Sequence, residues 1–460
     1  MTIQSPMSDS VSQRHDANPT RRRHRLLWRL HDREGFLLLL SYFLVLLTAV
    51  AGSVLFSRSA NEQQQAVRSQ ALSSAFQMAE SGLDAAAAWL RALPSPPTGT
   101  NSMCPFAGIP YPGCTATAMN QGSYTVTVTP DPNNPNSYTH LYTMTSVGKM
   151  TSDPTVRPQL VAKLRATSFA KYAYFTNSER QSNGSPIWFT TNDHMQGPVH
   201  TNDRFNIAGS PIFDSQISSV ASTINYRSPA PAGGNHPQFN GGTALGVSAI
   251  QIPLSATALR VAASSLSGQW YQGNTTFQLQ AVGTMLVTNA ALGWVNHSTS
   301  LPTNGAVFVN GGSATVSGTI KGQVTLGASS DINVTNNLLC ATDPQTNPNS
   351  SDILGLLAEQ NVVISQSAPY NLQLQASVMA LNSSFTVANW WVGPPKGTLN
   401  VYGGIIQVQR GPVGTFSGTT GQKLSGYSKS YQYDSRFSNL APPYFPTTGS
   451  YQQVLWQQTN

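Results

Sequence analysis

The residues best equipped for chemistry sit in two copies of one short string, Thr191-Asn192-Asp193-His194 and His200-Thr201-Asn202-Asp203. Carboxylate and imidazole together can move protons or ligate a cation. Asp193 and Asp203 lie ten residues apart. Stacked on adjacent turns of a coil, the strings would bring Asp193, His194, His200 and Asp203 together, with Glu179 near. Those four are the candidate metal ligands. The competing role is mechanical, because Asn and Asp side chains hydrogen-bond the backbone of a turn and hold a corner. The corner role is the expectation, with no metal.

The other acids beyond residue 100, among them Asp131, Asp153, Asp214, Asp331, Asp343, Asp352, Glu359 and Asp434, are scattered. No two fall on successive inward positions of a strand, whereas glycoside cleavage needs a facing carboxylate pair. No GxSxG elbow, phosphate-binding loop or HExxH helix occurs. The expectation is a non-catalytic chain without catalytic residues or a small-molecule cofactor. The alternatives are a membrane-anchored β-helix enzyme acting on polysaccharide and a glycan-binding adhesin. Trp270, Tyr271, Trp390, Trp391, Tyr402, Tyr431, Tyr433 and Tyr444 could offer a sugar surface, but such aromatics more often fill and cap the ends of a coil.

Cys104 and Cys114 enclose a Pro/Gly-rich loop, "CPFAGIPYPGC". Outside the cytoplasm this pair suits a disulfide, and closing a loop of about 10 residues is worth on the order of 2–3 kcal/mol. Cys340 is left as a small buried residue.

The elements that must carry these residues begin with one oily run. Charged residues make up 9% of the 460 residues, against roughly 25% in an average soluble domain. From Phe36 to Phe56 there is no charge at all, and as a helix this run spans roughly 31 Å, the thickness of a bilayer core. Residues 1–35 hold seven arginines against four acids and form a basic leader. Arginine-rich flanks stay in the cytoplasm, so residues beyond Arg58 are expected outside the membrane. The helical pattern continues through Val67, Leu72, Phe76, Ala79, Leu83, Ala87 and Leu90 until Pro94, Pro96 and Pro97 stop it. Phe36 to Leu93 as one helix is roughly 87 Å long.

A charged leader, Gly35, Phe36, an apolar helix and an amphipathic continuation resemble type IV pilins and the pseudopilins of type II secretion. The stretch "FQMAESGLDAAAAWL", through Ala79, Glu80, Gly82 and Leu83, is similar to the N-terminal pattern of PilX-type minor pilins. The resemblance covers about residues 30–93. It implies a bacterial chain cut by a prepilin peptidase after Gly35, with Phe36 as the methylated N-terminus. It also implies a pilus or secretion-like location, and other pilin or pseudopilin subunits as partners beside membrane lipid. Surface glycan and DNA are further candidates. Leu40 stands where major pilins carry a Glu that meets a neighbour's N-terminus, which suits a tip or initiating subunit, or a plain signal anchor.

Beyond the helix, short alternating strands at 123–130, 138–146 and 155–167 predict a small antiparallel meander over 94–170. From 171 to 425 the texture is Val307/Val309, Ala314/Val316, Val324/Leu326, Ile332/Val334, Val362/Ile364, Leu372/Leu374, Phe385/Val387, Leu399/Val401 and Ile406/Val408, with Gly, Asn or Ser between pairs. Two inward residues per strand and a corner after each predict a parallel β-helix, or solenoid. An insertion is expected near 225–300 and a capping segment at 426–460. The strings "GPVHTND", "DILGLLAEQNVVIS", "LQASVMALNSSF", "VYGGIIQ" and "YSKSYQYDSRF" resemble an uncharacterised bacterial domain family found behind PilX-type helices, which implies architecture and location but no chemistry. The expected fold is thus mainly β with one long N-terminal α-helix: a β-solenoid head behind a transmembrane helix and a small meander.

Overall fold

A computed structural model describes residues 33–93, 96–97, 117–119, 121–131, 139–181, 183–417 and 422–459. Most of the basic leader and the Cys104–Cys114 loop lie outside the described residues. The chain forms two units, Met1–Gln70 and Ala71–Asn460.

Helix α1 (Arg33–Ala92) ends two residues before Pro94, which has no N–H to donate and disfavours helix before it. In the first unit the side chains of 36–56 are all exposed, and the helix is long and apolar enough to cross a membrane. Its serine and threonine hydroxyls return to their own backbone. Ser41 Oγ donates to Leu38 O at 2.8 Å, Thr48 Oγ1 to Val45 O at 2.9 Å and Ser53 Oγ to Val50 O at 2.8 Å. Each of these three hydroxyls is thereby satisfied without a partner in the surroundings, as lipid demands.

In the second unit α1 buries a stripe, Ala71, Ala75, Ala79, Leu83, Ala86, Ala87 and Leu90. It packs on the antiparallel strands β1 (Thr117–Met119), β2 (Gly122–Pro130), β3 (Leu141–Met150) and β4 (Gln159–Ser168), whose Val126, Val128, Met144, Leu160 and Leu164 alternate inward. The approach is close because the contact residues are small. A Cβ on Gly148 would lie 1.8 Å from Ala75 O, and one on Gly82 would lie 2.9 Å from the Tyr124 ring. Gly82 and Ala79 therefore let the helix settle on the sheet.

The rest is a parallel solenoid in two runs. The first starts with β5 (Tyr174–Ser178) and makes three-strand turns. These are β6 (Phe189–Thr190), β7 (His194–Met195) and β8 (Val199–Thr201); β9 (Asn206–Ala208), β10 (Ile212–Phe213) and β11 (Ile217–Ser219); β12 (Asn225–Tyr226), β13 (Gln238–Phe239) and β14 (Thr243–Leu245). Pairing is parallel along β6–β9–β12, β7–β10–β13 and β5–β8–β11–β14.

After a crossing with the short helix α2 (Thr257–Ala263), the second run makes two-strand turns. They are β15 (Gln269–Gln272) and β16 (Thr275–Gln280), then, past an antiparallel hairpin of β17 (Thr284–Asn289) and β18 (Trp294–Ser300), β19 (Ala306–Asn310) and β20 (Ala314–Ile320). β21 (Gln323–Ala328), β22 (Ile332–Cys340), β23 (Ile353–Ala358), β24 (Val362–Ile364), β25 (Leu372–Ala380), β26 (Phe385–Val387) and β27 (Thr398–Gln409) follow. Strand n pairs in parallel with strand n+2 from β19 to β27, and β15 and β16 join β19 and β20. A hairpin of β28 (Gly414–Phe416) and β29 (Lys423–Gly426) precedes β30 (Ser428–Tyr433). The two runs meet on β27, whose first half pairs with β30 and second half with β5.

Three details differ from the sequence expectations. Within 225–300, β12–β14 and β15–β16 are solenoid strands; the crossing departs from the coil, and the antiparallel β17–β18 hairpin extends the sheet from β16 with Met285 and Val287 in the solenoid core. In the capping segment, β31 (Thr447–Thr459) pairs antiparallel with β4 and completes the five-stranded sheet under α1. In β27 the inward residues are Leu399, Val401 and Ile405, while Ile406 faces a second core on the outside of the coil with Phe169, Phe175, Phe308, Leu357 and Met379. That outer face is covered by α2 and by segments around 169–175 and 437–445, so its strands are apolar on both sides.

Candidate functional site

The doubled string turns corners. A first-run turn has three strands, so ten residues carry the chain round the same turn rather than onto the next; His194 pairs with Ile212, and His200 with Phe175 and Ser218. The four candidates accordingly go to four different partners. Asp193 Oδ1 meets Lys429 Nζ at 2.6 Å, and its Oδ2 accepts from Thr190 N at 2.8 Å, closing the corner. His194 Nε2 lies 2.6 Å from Asp214 Oδ2 on the surface. His200 is buried, its Nδ1 2.8 Å from Ser218 Oγ and Nε2 3.0 Å from Asn202 Oδ1, and it stacks on Phe175. Asp203 Oδ2 accepts from Glu179 N at 3.0 Å. Among the described residues no three His, Cys, Asp or Glu side chains are placed to share a metal ion.

What the fold does bring together is a buried charge group at the seam of the two runs. Glu179, just past β5, is 0% exposed, and its Oε2 accepts from Arg410 Nη1 at 2.8 Å. Arg410, just past β27, also donates to Ile187 O and Trp188 O at 3.4 Å and lies 3.9 Å from the Phe189 ring centroid. Asp193 and Lys429 form the second pair, from the first run to β30. Burial alone would push the Asp193 carboxyl up, but Lys429 and Arg410 outweigh it and hold it below its ordinary value. Burial drives Lys429 down and the Tyr174 and Tyr431 hydroxyls up. A corner ladder continues the order, with Asn225 Nδ2 donating to Asn206 Oδ1 at 2.7 Å and Asn206 Nδ2 to Glu179 O at 3.1 Å.

Each carboxylate here is spent on structure. Arg260 grips Glu359 through both oxygens, at 2.7 and 2.6 Å, fastening α2 to the coil. Arg436 likewise grips Asp434, Nε donating to Oδ1 at 3.0 Å and Nη2 to Oδ2 at 2.6 Å. Asp352 caps Gly322 N and Thr342 N, each at 2.8 Å. Sequence reasoning missed Arg410 and Lys429. The available signal was a lone charge inside an otherwise neutral strand pattern.

Of the processing pair, Gly35 has nothing within 4 Å of a built Cβ, and Phe36 is exposed. Cys340 is buried, with Sγ 3.6 Å from Asp352 O.

A family described as a domain of unknown function (DUF4900) matches residues 137–222, which run from the meander into the first solenoid turns. Among solved structures, the competence-associated pilin ComZ from Thermus thermophilus is similar at 15% identity, over 85% of this chain and 97% of that one, with a TM-score of 0.31. A comparison with curated proteins finds no match.

Proposed function

We propose that this chain is a non-catalytic, minor pilin-like component of a type IV pilus or a type II secretion-like machine, anchored by α1 and displaying a β-solenoid outside the cytoplasmic membrane, where it assists assembly, adhesion or DNA uptake. One observation carries the reading: over 36–56 α1 is fully exposed and uncharged, with its serine and threonine hydroxyls bonded to its own backbone, while a later part with an Ala/Gly stripe packs on an antiparallel sheet. The first part is built for lipid or for neighbouring apolar helices, the second for a soluble head. The commitment of Glu179, Asp193, Glu359 and Asp434 to ion pairs supports the non-catalytic half of the reading. The partners in this reading are membrane lipid, other pilin-like subunits and a prepilin peptidase.

Topology is the test. A membrane-impermeant amine reagent applied to spheroplasts should label Lys321, which is exposed on the solenoid. Labelling of Lys321 only after lysis would contradict outward display.

A further inference from the structure

Beside the base of the β28–β29 hairpin, at Gly426, a cleft of about 500 Å³ is lined by Gln366, Tyr370, Asn389, Trp390, Pro394 and Lys396. We propose that this cleft binds a neutral glycan, holding one pyranose ring against Tyr370 and Trp390 by stacking and by hydrogen bonds from Gln366 and Asn389.

The walls are aromatic and prearranged. Trp390 is half-buried against the solenoid core, and its carbonyl accepts from Ser425 Oγ at 2.6 Å. Tyr370 is 65% exposed and the adjoining Trp391 58% exposed. The capping role expected of Trp390 and Trp391 fits the half-buried Trp390 and leaves the exposed Trp391 unexplained, and Tyr370 stands exposed beside them.

The polar groups are fixed and unspent. Asn389 Nδ2 donates to Gln366 Oε1 at 3.1 Å, which locks the two amides together. Among the described residues no partner occupies Asn389 Oδ1, Gln366 Nε2 or the Tyr370 hydroxyl. An acceptor and a donor at fixed spacing suit vicinal sugar hydroxyls, which both give and take a hydrogen bond. A few placed polar groups in an apolar cleft are the usual form of a small-ligand site.

Charge decides the ligand class. Lys396 Nζ donates to Gln366 O and Ala368 O, both at 2.7 Å, and lies 5.3 Å from the Tyr427 ring centroid. Two of its three N–H groups are taken by carbonyls, and its charge faces the Tyr427 ring. Among the described residues no carboxylate lines the cleft. A nucleic acid or acidic polymer needs an uncommitted cation, whereas Lys396, the cation among the described lining residues, is held by two backbone carbonyls. A proline-rich peptide would find aromatic walls, but its imide nitrogens cannot satisfy the free Asn389 acceptor.

The site goes beyond the anchor reading and fails separately from it, since sugar binding does not depend on processing at Gly35. Full-length protein in detergent is titrated with maltohexaose, cellohexaose and the N-acetylglucosamine hexamer, and with decaproline, while tryptophan emission is followed. Saturable binding of at least one hexasaccharide is expected. Tyr370→Ala should weaken it at least about tenfold, as should Asn389→Gly, which keeps the left-handed backbone at φ 51° but removes the amide. Both side chains are exposed, so the fold should survive, and unchanged circular dichroism confirms it. Silence from all three sugars, binding indifferent to both substitutions, or tighter binding of decaproline would each overturn the proposal.

Discussion

Arg410→Met isolates the seam. The guanidinium is 3% exposed and its partner carboxylate, Glu179, is fully enclosed. Removing Arg410 takes away the 2.8 Å charge-assisted bond and leaves Glu179 with the Thr176 hydroxyl as its remaining side-chain partner. An uncompensated buried charge of this kind costs about 3–5 kcal/mol. Glu179→Gln leaves Arg410 its two carbonyls and the Phe189 face, so the loss should be somewhat smaller. The double variant, Glu179→Gln with Arg410→Met, removes both charges and should recover most of the loss, because a buried pair replaced as a pair is often close to neutral. The expected coupling is about 2–3 kcal/mol. Urea unfolding of the full chain in detergent, followed by tryptophan fluorescence, provides the cycle, with Trp188 beside the seam as reporter. Additive losses, with the double variant as unstable as the two singles summed, would refute the reasoning that the pair is one unit joining sequence-distant runs.

Three other outcomes are expected. His200 is held below its ordinary 6.5 by burial; the unfolded chain therefore binds the extra proton first, so stability is full above 6.5 and falls as pH drops toward the folded value. In urea titrations between pH 7 and 5, His200→Gln should flatten that decline, and an unchanged slope would contradict it. Gly148→Ala places a methyl 1.8 Å from Ala75 O and should cost about 1–3 kcal/mol by lifting the helix, while Gly52→Ala, with open space around it, should leave head stability unchanged by the same denaturation assay. The Cys340 thiol, pushed up to about 12 chiefly by burial, should resist iodoacetamide at pH 8 in the folded protein and react on unfolding, as peptide mass mapping would show.

Legibility followed the range of the interactions. The uncharged run and the alanine stripe are local patterns, and α1 occupies 33–92 where 36–93 was expected. The two-in strand signature was equally local: Val307, Val309, Val324, Leu326, Ile332, Val334, Val362 and Ile364 all point into one core. β27 misled because both its faces are buried, so Ile405 and Ile406 carry equal apolar weight and alternation has no contrast to read. The seam was illegible because Glu179–Arg410 spans 231 positions and a coil's order in space need not follow its order in sequence. β31 crossed back to β4 for the same reason, over nearly the whole length of the head. In the Asp/His strings Asp193 bonds the backbone of its own turn, whereas His194 and His200 lie in strands; convergence of the two strings needs ten-residue turns, and the three-strand turns put His194 opposite Ile212 instead.

The most direct test is the mass of the native chain's N-terminal peptide, taken from a membrane fraction. A chain beginning at N-methylated Phe36 is the predicted result, with the basic leader removed and α1 left as the anchor. Recovery of an intact Met1 terminus from the same fraction would contradict pilin-type processing.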